Sequence, residues 1–238
     1  MTRGLGGRVG IGVRLAGVLA TALLLAGAAP AAGKPKPVAS PYYLARGDPR
    51  LCPSPVCGGL FVHLVNRSRS VCGDGARRPA CYVASADLSA LDVATQRRSE
   101  IAGLLAQGRA LARGRLARGL VPGFPQLDTL VVTEIWRSSS SARLPSGTFR
   151  RLADNGVRCV AAPCFSTDAD ALDRSGRVTV SRVRLAGVGA TTPERNRALA
   201  LIATGELIAS GGVVVVPRAG PAGAGRVFVA SQFYVQMR

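Results

Sequence analysis

The sequence is poor in histidine and aromatic residues, and each shortage argues against a class of function. Its 238 residues include one His, which excludes a mechanism or a zinc site that needs two histidines. Aromatic residues make up 5% of the chain, too few for the stacking platform of a single-strand nucleic-acid binder, which argues against nucleic acid as the partner. Hydrophobic residues at 47% and charged residues at 18% exclude a wholly disordered chain.

The positive charge of the chain comes almost entirely from arginine. The formal net charge is +18, and Lys34 and Lys36 are the only lysines. Residues 42–138 and 149–238 carry 13 and 12 arginines against seven and six acids, so the charge is spread evenly. This spread favours codon bias over a binding patch, although the arginines between Arg97 and Arg118 leave an anionic polymer open as a partner.

Residues 1–31 have the order of a secretory signal peptide. Three arginines precede the apolar run Leu15–Ala29, and Ala29-Pro30-Ala31 supplies a cleavage site after Ala31. The run is short for a membrane span, and an uncleaved anchor is the alternative. We therefore expect a mature chain that is secreted, in the periplasm or the extracellular envelope, without a membrane span after cleavage.

The remainder of the chain contains two similar segments. Cys52–Cys57 and Cys159–Cys164 are both Cys-x4-Cys loops that contain proline. Between Val83–Gly114 and Val180–Gly211, nine of 32 positions are identical without a gap. Such self-similarity indicates tandem repeats. We predict repeats at 42–138 and 149–238, with an N-terminal linker at 32–41 and a second linker at 139–148.

Each repeat is predicted to be an α+β unit, a mostly antiparallel sheet with one helix and a disulfide-closed loop. Helices are expected from Thr95 to Gly108 and from Thr192 to Gly205, with Thr192 as N-cap and Gly205 at the C-terminal end. Alternating or apolar runs predict strands at Gly59–Asn66, Ala80–Leu88, Leu130–Trp136, Arg177–Leu185 and Val227–Val235.

Six cysteines in an exported chain indicate disulfide bonds. The second repeat contains Cys159 and Cys164 alone, so these pair locally if each repeat folds by itself. The same argument applied to the first repeat predicts three local bridges, Cys52–Cys57, Cys72–Cys81 and Cys159–Cys164. Zinc is the rival interpretation, but structural zinc sites favour reducing compartments, and no metal or cofactor is expected.

Two motifs resemble a known family. Tyr42-Tyr43, the run Cys-Pro-x-Pro-x-Cys-Gly-Gly that starts at Cys52, and Val65-Asn66 resemble the opening of an uncharacterised family of secreted bacterial proteins, a domain of unknown function. The run from Asp154 to Cys164 is similar to that family's second half-motif. The resemblance covers most of the mature chain. It implies export and a β-rich fold, and it carries over no catalytic residue.

Residues that could support catalysis are scarce. His63 alternates with Phe61 and Val65, and because no Gly-x-Ser-x-Gly motif supplies a nucleophile, we expect a half-buried strand histidine. Asp168, Asp170 and Asp173 resemble the start of a calcium loop, but the glycine and the distal glutamate of such a loop are missing. No catalytic, cofactor-binding or metal-binding residue is predicted, and the protein is not expected to be an enzyme.

Two classes of function remain. The first is a binding module that contacts another protein or an anionic envelope polymer. The second is a protease inhibitor that presents disulfide-stapled loops, because a rigid loop loses little entropy on binding. A secreted hydrolase is a weaker alternative. In either main hypothesis the displayed residues are those at the tips of the two loops, Ser54, Val56, Ala161 and Ala162.

Overall fold

The structure is a computed structural model that describes residues 40–140 and 144–237. The predicted signal peptide at 1–31, nearly all of the linker at 32–41 and residues 141–143 of the second linker lie outside the described residues. The cleavage site and the boundaries of the two segments therefore stay predictions.

Strands dominate the described residues. They are β1 (Tyr42–Gly47), β2 (Leu60–Leu64), β3 (Ser70–Val71), β4 (Arg77–Arg78), β5 (Cys81–Val83), β6 (Ser85–Asp87), β7 (Ala110–Arg118), β8 (Asp128–Ser138), β9 (Thr148–Asp154), β10 (Thr167–Ala171), β11 (Arg177–Val180), β12 (Arg182–Arg184), β13 (Leu207–Gly220) and β14 (Gly223–Gln236). The α-helices are α1 (Thr95–Ala106) and α2 (Thr192–Ala200), and short 3₁₀ helices lie at Ala186–Val188 and Leu201–Thr204.

The predicted α+β fold of two tandem repeats, each with its own sheet, is wrong. Of the described residues, 45% are in strands and 14% are helical, and one mostly antiparallel sheet of twelve strands runs through both halves. The sheet is continuous because the last strand of each half pairs with the other, β8 with β14, between Ser138 and Tyr234. Pairing removes two edges that would otherwise expose unsatisfied main-chain groups.

The strand order in one half of this sheet repeats the strand order in the other half, counted from each edge to the centre. The order from one edge is β5-β2-β1-β7-β8, and from the other edge it is β11-β10-β9-β13-β14. Two short strands lie parallel to the central pair, β6 beside β8 and β12 beside β14. Every position in one half of the sheet can therefore be compared with a position in the other half.

Three apolar clusters hold the sheet together. The first lies under α1 and includes Ile101 and Leu130, and the second lies near α2 and includes Phe228. The third, the central core, is formed by both halves: Tyr42, Leu44, Val65, Leu111, Trp136, Phe149, Leu172, Ile208 and Tyr234. This shared core explains why the halves do not form separate units, since each would expose large apolar side chains alone.

Two residues with left-handed backbone conformation connect the halves around the central core. Asn66 has φ 55°, and its side chain accepts from the Phe149 N–H and donates to the Phe149 and Leu172 carbonyls at 2.8 Å. Asp173 has φ 54°, and its carboxylate accepts from the Tyr42 N–H at 2.9 and 3.1 Å. Asn and Asp tolerate this conformation better than other non-glycine residues. Each half thus binds the main chain of the other.

The two helices begin near the predicted positions, but the N-caps differ by one residue. Thr191, not Thr192, caps α2, and its side chain forms a capping box with Glu194. Ala94 precedes α1 and makes no side-chain cap. The 3₁₀ helix Leu201–Thr204 continues α2, and Gly205 ends it with φ 68°, as the sequence predicts. A threonine pair at 191–192 offers two caps, and the spacing of three residues to Glu194 selects the first.

Candidate functional site

The six cysteines form three disulfides, and the pairs are those expected from the sequence. They are Cys52–Cys57, Cys72–Cys81 and Cys159–Cys164. We call the segment Cys52–Cys57 loop 1 and the segment Cys159–Cys164 loop 2. Loop 1 connects β1 to β2 and loop 2 connects β9 to β10, so the two loops occupy corresponding positions in the sheet. Their surroundings are different.

Loop 1 is held by side chains of its own half. The Tyr82 hydroxyl donates to the Pro55 carbonyl at 2.7 Å, and the Arg50 guanidinium donates to the Val56 carbonyl at 3.1 Å. The same guanidinium lies over the Tyr82 ring at 4.8 Å and binds the Asp48 carboxylate through Nε and Nη2. Arg50 is therefore neutralised and stacked. Ser54 and Val56 point outward and are exposed.

Loop 2 packs instead on the tip of the β13–β14 hairpin. The Ala222 N–H donates to the Ala162 carbonyl at 2.8 Å. Gly225 allows close packing against Ala219, Ser181 and Pro163, because a Cβ atom at position 225 would lie 2.6, 2.8 and 3.2 Å from their side-chain atoms. Ala161 and Ala162 are exposed, and their role as displayed contact residues stays a prediction. This packing fixes loop 2 next to the outer surface of the hairpin.

That outer surface belongs to β12, β14 and β13. Val213 and its cross-strand partner Phe228 pack in the second core. Because side chains alternate along a strand, the flanking residues of each strand point away from that core. Pairing aligns Arg182, Val227 and Val214 in one row. We call this surface the arginine face: Arg182, Arg184, Gly212, Val214, Val216, Arg218, Val227 and Val229.

Three arginines of this face surround a cleft. Arg182, Arg184 and Arg218 line a cleft of about 370 Å³ together with Pro163 and Cys164 of loop 2. All three arginines are exposed. Within residues 40–140 and 144–237, none of them forms an ion pair with a carboxylate. The cleft therefore concentrates positive charge that nothing in the described protein neutralises.

The acids of this half are engaged elsewhere, which explains the excess charge. Asp154 binds Arg158 at 2.7 Å, and Asp168 lies 3.3 Å from Arg177. Glu194 is used in the capping box of α2. The two halves can thus have equal net charge and still differ in local charge. A ligand responds to the local charge, which depends on where the acids are placed.

The corresponding surface in the other half of the sheet has no such cluster. We call it the first-half face, and by the same register argument it consists of Ser85, Asp87, Arg115, Ala117, Thr129 and Val131. It carries one acid and one arginine. Ser85 and Thr129 place their hydroxyls 3.4 Å apart. Arg182 and Arg184 of β12 stand where β6 has Ser85 and Asp87.

The remaining candidates from the sequence do not come together. His63 lies on β2 and is exposed rather than half-buried, near Arg46 and Leu44. Partial desolvation of the imidazole, and to a lesser extent the positive charge of Arg46, lower the pKa of His63. In the described parts of the chain no group of three His, Cys, Asp or Glu side chains is arranged to bind a metal ion.

The three aspartates near β10 have structural partners. Asp168 accepts from Asn155 and Thr179, and Asp170 binds Arg177. Asp173 connects the halves through Tyr42, and burial raises its pKa to about 6. Asp168 and Asp170 share the Arg177 guanidinium, and Asp173 faces the Tyr42 N–H, so the three carboxylates serve the sheet rather than a calcium loop.

The arginine face is the site that sequence reasoning missed. The net charge of each half is a sum that hides where the acids and arginines lie. Because the two sums are equal, they argued against a local cluster of arginines. The available signal was Arg182-Val183-Arg184, because alternation in a strand puts both arginines on one surface. Arg218 gave no such signal, since its place beside them depends on the β13–β14 pairing and on loop 2.

No helix formed by the described residues is long and apolar enough to cross a membrane. The fold and the three bridges define a disulfide-bonded, mostly antiparallel β protein, and the bridges are compatible with an extracellular or periplasmic location. The chain belongs to the DUF6748 family, a domain of unknown function, whose family model matches residues 41–238. No curated protein and no solved structure is similar enough to the chain to give a match.

Proposed function

We propose that the protein is an extracellular binding module without enzymatic activity and that its ligand is anionic. The ligand lies on the arginine face, in the cleft between β12, the β13–β14 hairpin and loop 2. The single observation that carries the proposal is that Arg182, Arg184 and Arg218 line one cleft without a carboxylate partner in the described residues.

Electrostatics gives the reason why these arginines suit a ligand. An exposed arginine cluster costs repulsion in the folded protein, whereas several other arginines are neutralised by a carboxylate, such as Arg50 by Asp48 and Arg177 by Asp170. A phosphate, sulfate or carboxylate group on the ligand would remove that repulsion and accept paired hydrogen bonds from guanidinium groups.

The cleft is also rigid, which reduces the entropy lost on binding. Arg182 and Arg184 lie on a strand paired with β14, and Ser181 next to them donates to the Arg226 carbonyl through both N–H and hydroxyl, at 2.8 and 2.9 Å. Loop 2 is closed by the Cys159–Cys164 disulfide and held by the Ala222 N–H. Loop 2 thus serves as a wall of the cleft rather than as the contact itself.

The test is binding of the purified chain to heparin as a probe polyanion. Replacing Arg182, Arg184 and Arg218 by Gln should weaken binding at least about tenfold and flatten its dependence on salt. The matched control replaces Arg46, Arg98 and Arg115 by Gln, which removes the same charge from three exposed arginines that form no ion pair within the described residues. Equal losses in both variants would reduce the effect to net charge and contradict the proposal.

Secretion is part of the same proposal. Three disulfides are typical of proteins that fold in oxidising compartments, and the sequence predicts a signal peptide at 1–31. N-terminal sequencing of the exported protein should therefore start at Ala32. A membrane-bound product that keeps Met1 would contradict it.

A second candidate, protease inhibition, rests on the rigidity of loop 1. Four constraints fix this loop: its disulfide, the Tyr82 hydroxyl, the Arg50 guanidinium and the Cys57 N–H, which donates to the Pro53 carbonyl at 3.2 Å. Ser54 and Val56 are displayed at its tip. If this loop inhibits a secreted protease, Val56→Asp abolishes inhibition without changing the midpoint of unfolding. Screening the wild-type protein against common secreted proteases without any inhibition would exclude the candidate.

A further inference from the structure

One edge of β13 is open beyond residue 211. β13 pairs with β9 only through Leu207–Gly211, whereas its pairing with β14 continues to Gly220. In the described part of the chain no strand occupies the β9 side of residues 212–216. Among the described residues, the alternate main-chain N–H and C=O groups on this side of the strand therefore have no ladder partner and can pair with an added strand.

Strand edges in proteins are normally protected from such pairing. In the first half of this sheet, the corresponding edge of β7 is protected. β7 pairs with β1 only through Leu111–Arg113, and the rest of β7 carries Arg115 and Arg118. Charged side chains of this kind prevent pairing with another chain. β13 instead presents four consecutive valines at 213–216, and Val214 and Val215 are 47% and 67% exposed. The first charged residue comes after Pro217.

A groove of about 700 Å³ lies on the arginine face where this open edge begins. Its floor includes Gly212, Val214 and Val229, and Leu144 and Ser146 form a wall. Gly212 has open space where a side chain would be, since nothing lies within 4 Å of a Cβ atom placed there. A large side chain on a neighbouring strand can fill the gap beside a strand glycine. Val214 lines this groove and Val216, two residues further along β13, lines the cleft of Arg182, Arg184 and Arg218.

We infer that Gly212–Val216 is a docking edge for an extended segment of an acidic partner protein, which adds a strand to β13. The inference rests on the proposed function, because the arginine face supplies the charge that selects this partner. The partner places a large apolar side chain beside Gly212 and one or more Asp or Glu residues next to Arg218. Main-chain hydrogen bonds give affinity, and the alternating side chains give specificity.

Two features favour an acidic polypeptide over other occupants. An open strand edge offers main-chain donors and acceptors that an extended peptide satisfies in register, which an acyl chain or a polysaccharide does not. A second copy of this chain would bring its own excess of positive charge, since the sequence has a formal net charge of +18. An acidic segment removes the repulsion between the arginines instead.

The experiment measures fluorescence anisotropy of two labelled synthetic peptides with the full mature chain. One peptide begins with Phe, alternates Thr and Val and ends in two Asp residues, and the other has the reverse sequence, because an edge accepts a strand in either direction. At least one peptide should bind. Methylation of its alternate backbone nitrogens should weaken binding at least about tenfold, because the methyl groups block ladder hydrogen bonds.

Gly212→Val tests the groove in the same assay. The new Cβ atom has no protein atom within 4 Å, and the valine side chain occupies the space that the partner's large side chain needs, so affinity for the peptide should fall about tenfold. Gly103→Ala is the control, since Gly103 lies in α1 and a Cβ there also meets nothing within 4 Å. Its affinity should stay unchanged.

The outcomes separate the inference from the proposed function. Peptide binding that survives backbone methylation overturns the docking edge, and so does binding of phosphatidylglycerol vesicles without binding of either peptide. If heparin binds in an arginine-dependent manner while neither peptide binds, the inference is wrong and the proposed function stands. If neither heparin nor peptide binds, both are wrong.

Discussion

The arginine face and the first-half face have the same architecture and different chemistry. Each consists of a short parallel strand, a central strand and a hairpin partner, β12–β14–β13 in one half and β6–β8–β7 in the other. One presents unpaired arginines beside an apolar groove, and the other presents Ser85, Asp87 and Arg115 in near balance. The sheet therefore provides two equivalent surfaces, and the side chains alone distinguish them.

The two disulfide loops follow the same division. Loop 1 is fastened to its own half by Arg50 and Tyr82, so its position does not depend on the hairpin β7–β8. Loop 2 is fastened to the β13–β14 hairpin and forms a wall of the arginine cleft. The stapled loop is thus a support in one half and part of a candidate site in the other.

The largest expected effect tests what the halves share. Gly114 and Gly211 lie at bulges of β7 and β13, and a Cβ atom at either position would collide with a main-chain carbonyl oxygen, of Val131 or of Val229. Gly114→Ala and Gly211→Ala should each lower the free energy of unfolding by about 2–4 kcal/mol. Chemical denaturation measures this, with Gly212→Ala as a near-neutral control. A large cost in only one half would break the structural equivalence.

The next effect removes the support of one loop at a time. Cys159→Ser with Cys164→Ser should weaken heparin binding severalfold, because loop 2 loses its closed shape beside the arginines. Cys52→Ser with Cys57→Ser should leave heparin binding unchanged, since loop 1 does not line the cleft. The cost in unfolding free energy should be similar for both, at most about 2 kcal/mol for so short a loop. Equal losses of binding would show that loop 2 has no special role.

A smaller effect distinguishes the two connecting residues, Asn66 and Asp173. Burial raises the pKa of the Asp173 carboxyl to about 6, above its value near 4 in an unfolded chain. Between these values the folded protein holds the extra proton, so the free energy of unfolding falls as pH rises from about 4 to about 6 and remains lower above. Because the side chain is partly exposed, we expect a fall of about 1 kcal/mol.

Asp173→Asn should abolish this fall in the free energy of unfolding between pH 4 and pH 7, because the amide does not titrate. The amide oxygen can still accept from the Tyr42 N–H, as the Asn66 amide does from Phe149. Urea unfolding at both pH values measures the difference. An unchanged pH dependence in Asp173→Asn would show that another group is responsible.

Much of the local structure follows from the sequence, and most of the global arrangement does not. Local bridges, the helix that begins near Thr192 and its end at Gly205 rest on neighbouring residues and are found as expected. The single sheet depends on the pairing of β8 with β14 and on the central core around Trp136 and Tyr234. These contacts join residues about a hundred positions apart, and periodicity within a segment carries no information about them.

The candidate site was harder still to predict. The two arginines of β12 could be placed on one surface from their alternation, but not next to Arg218 or loop 2. Their lack of ion pairs depends on where Asp154, Asp168 and Glu194 are used. A summed charge does not contain that information, because local fields depend on distances that only the fold determines.

The most direct test of the account exchanges the two faces at β6 and β12. One variant carries Arg182→Ser and Arg184→Asp, and the other carries Ser85→Arg and Asp87→Arg; heparin affinity is measured by titration at low and at physiological salt. The account predicts that the first variant loses affinity at least about tenfold, and that the second gains no more than about threefold because it lacks loop 2 and Arg218. If the first variant binds heparin as the wild type does, the arginine face is not the binding site and the central claim is contradicted.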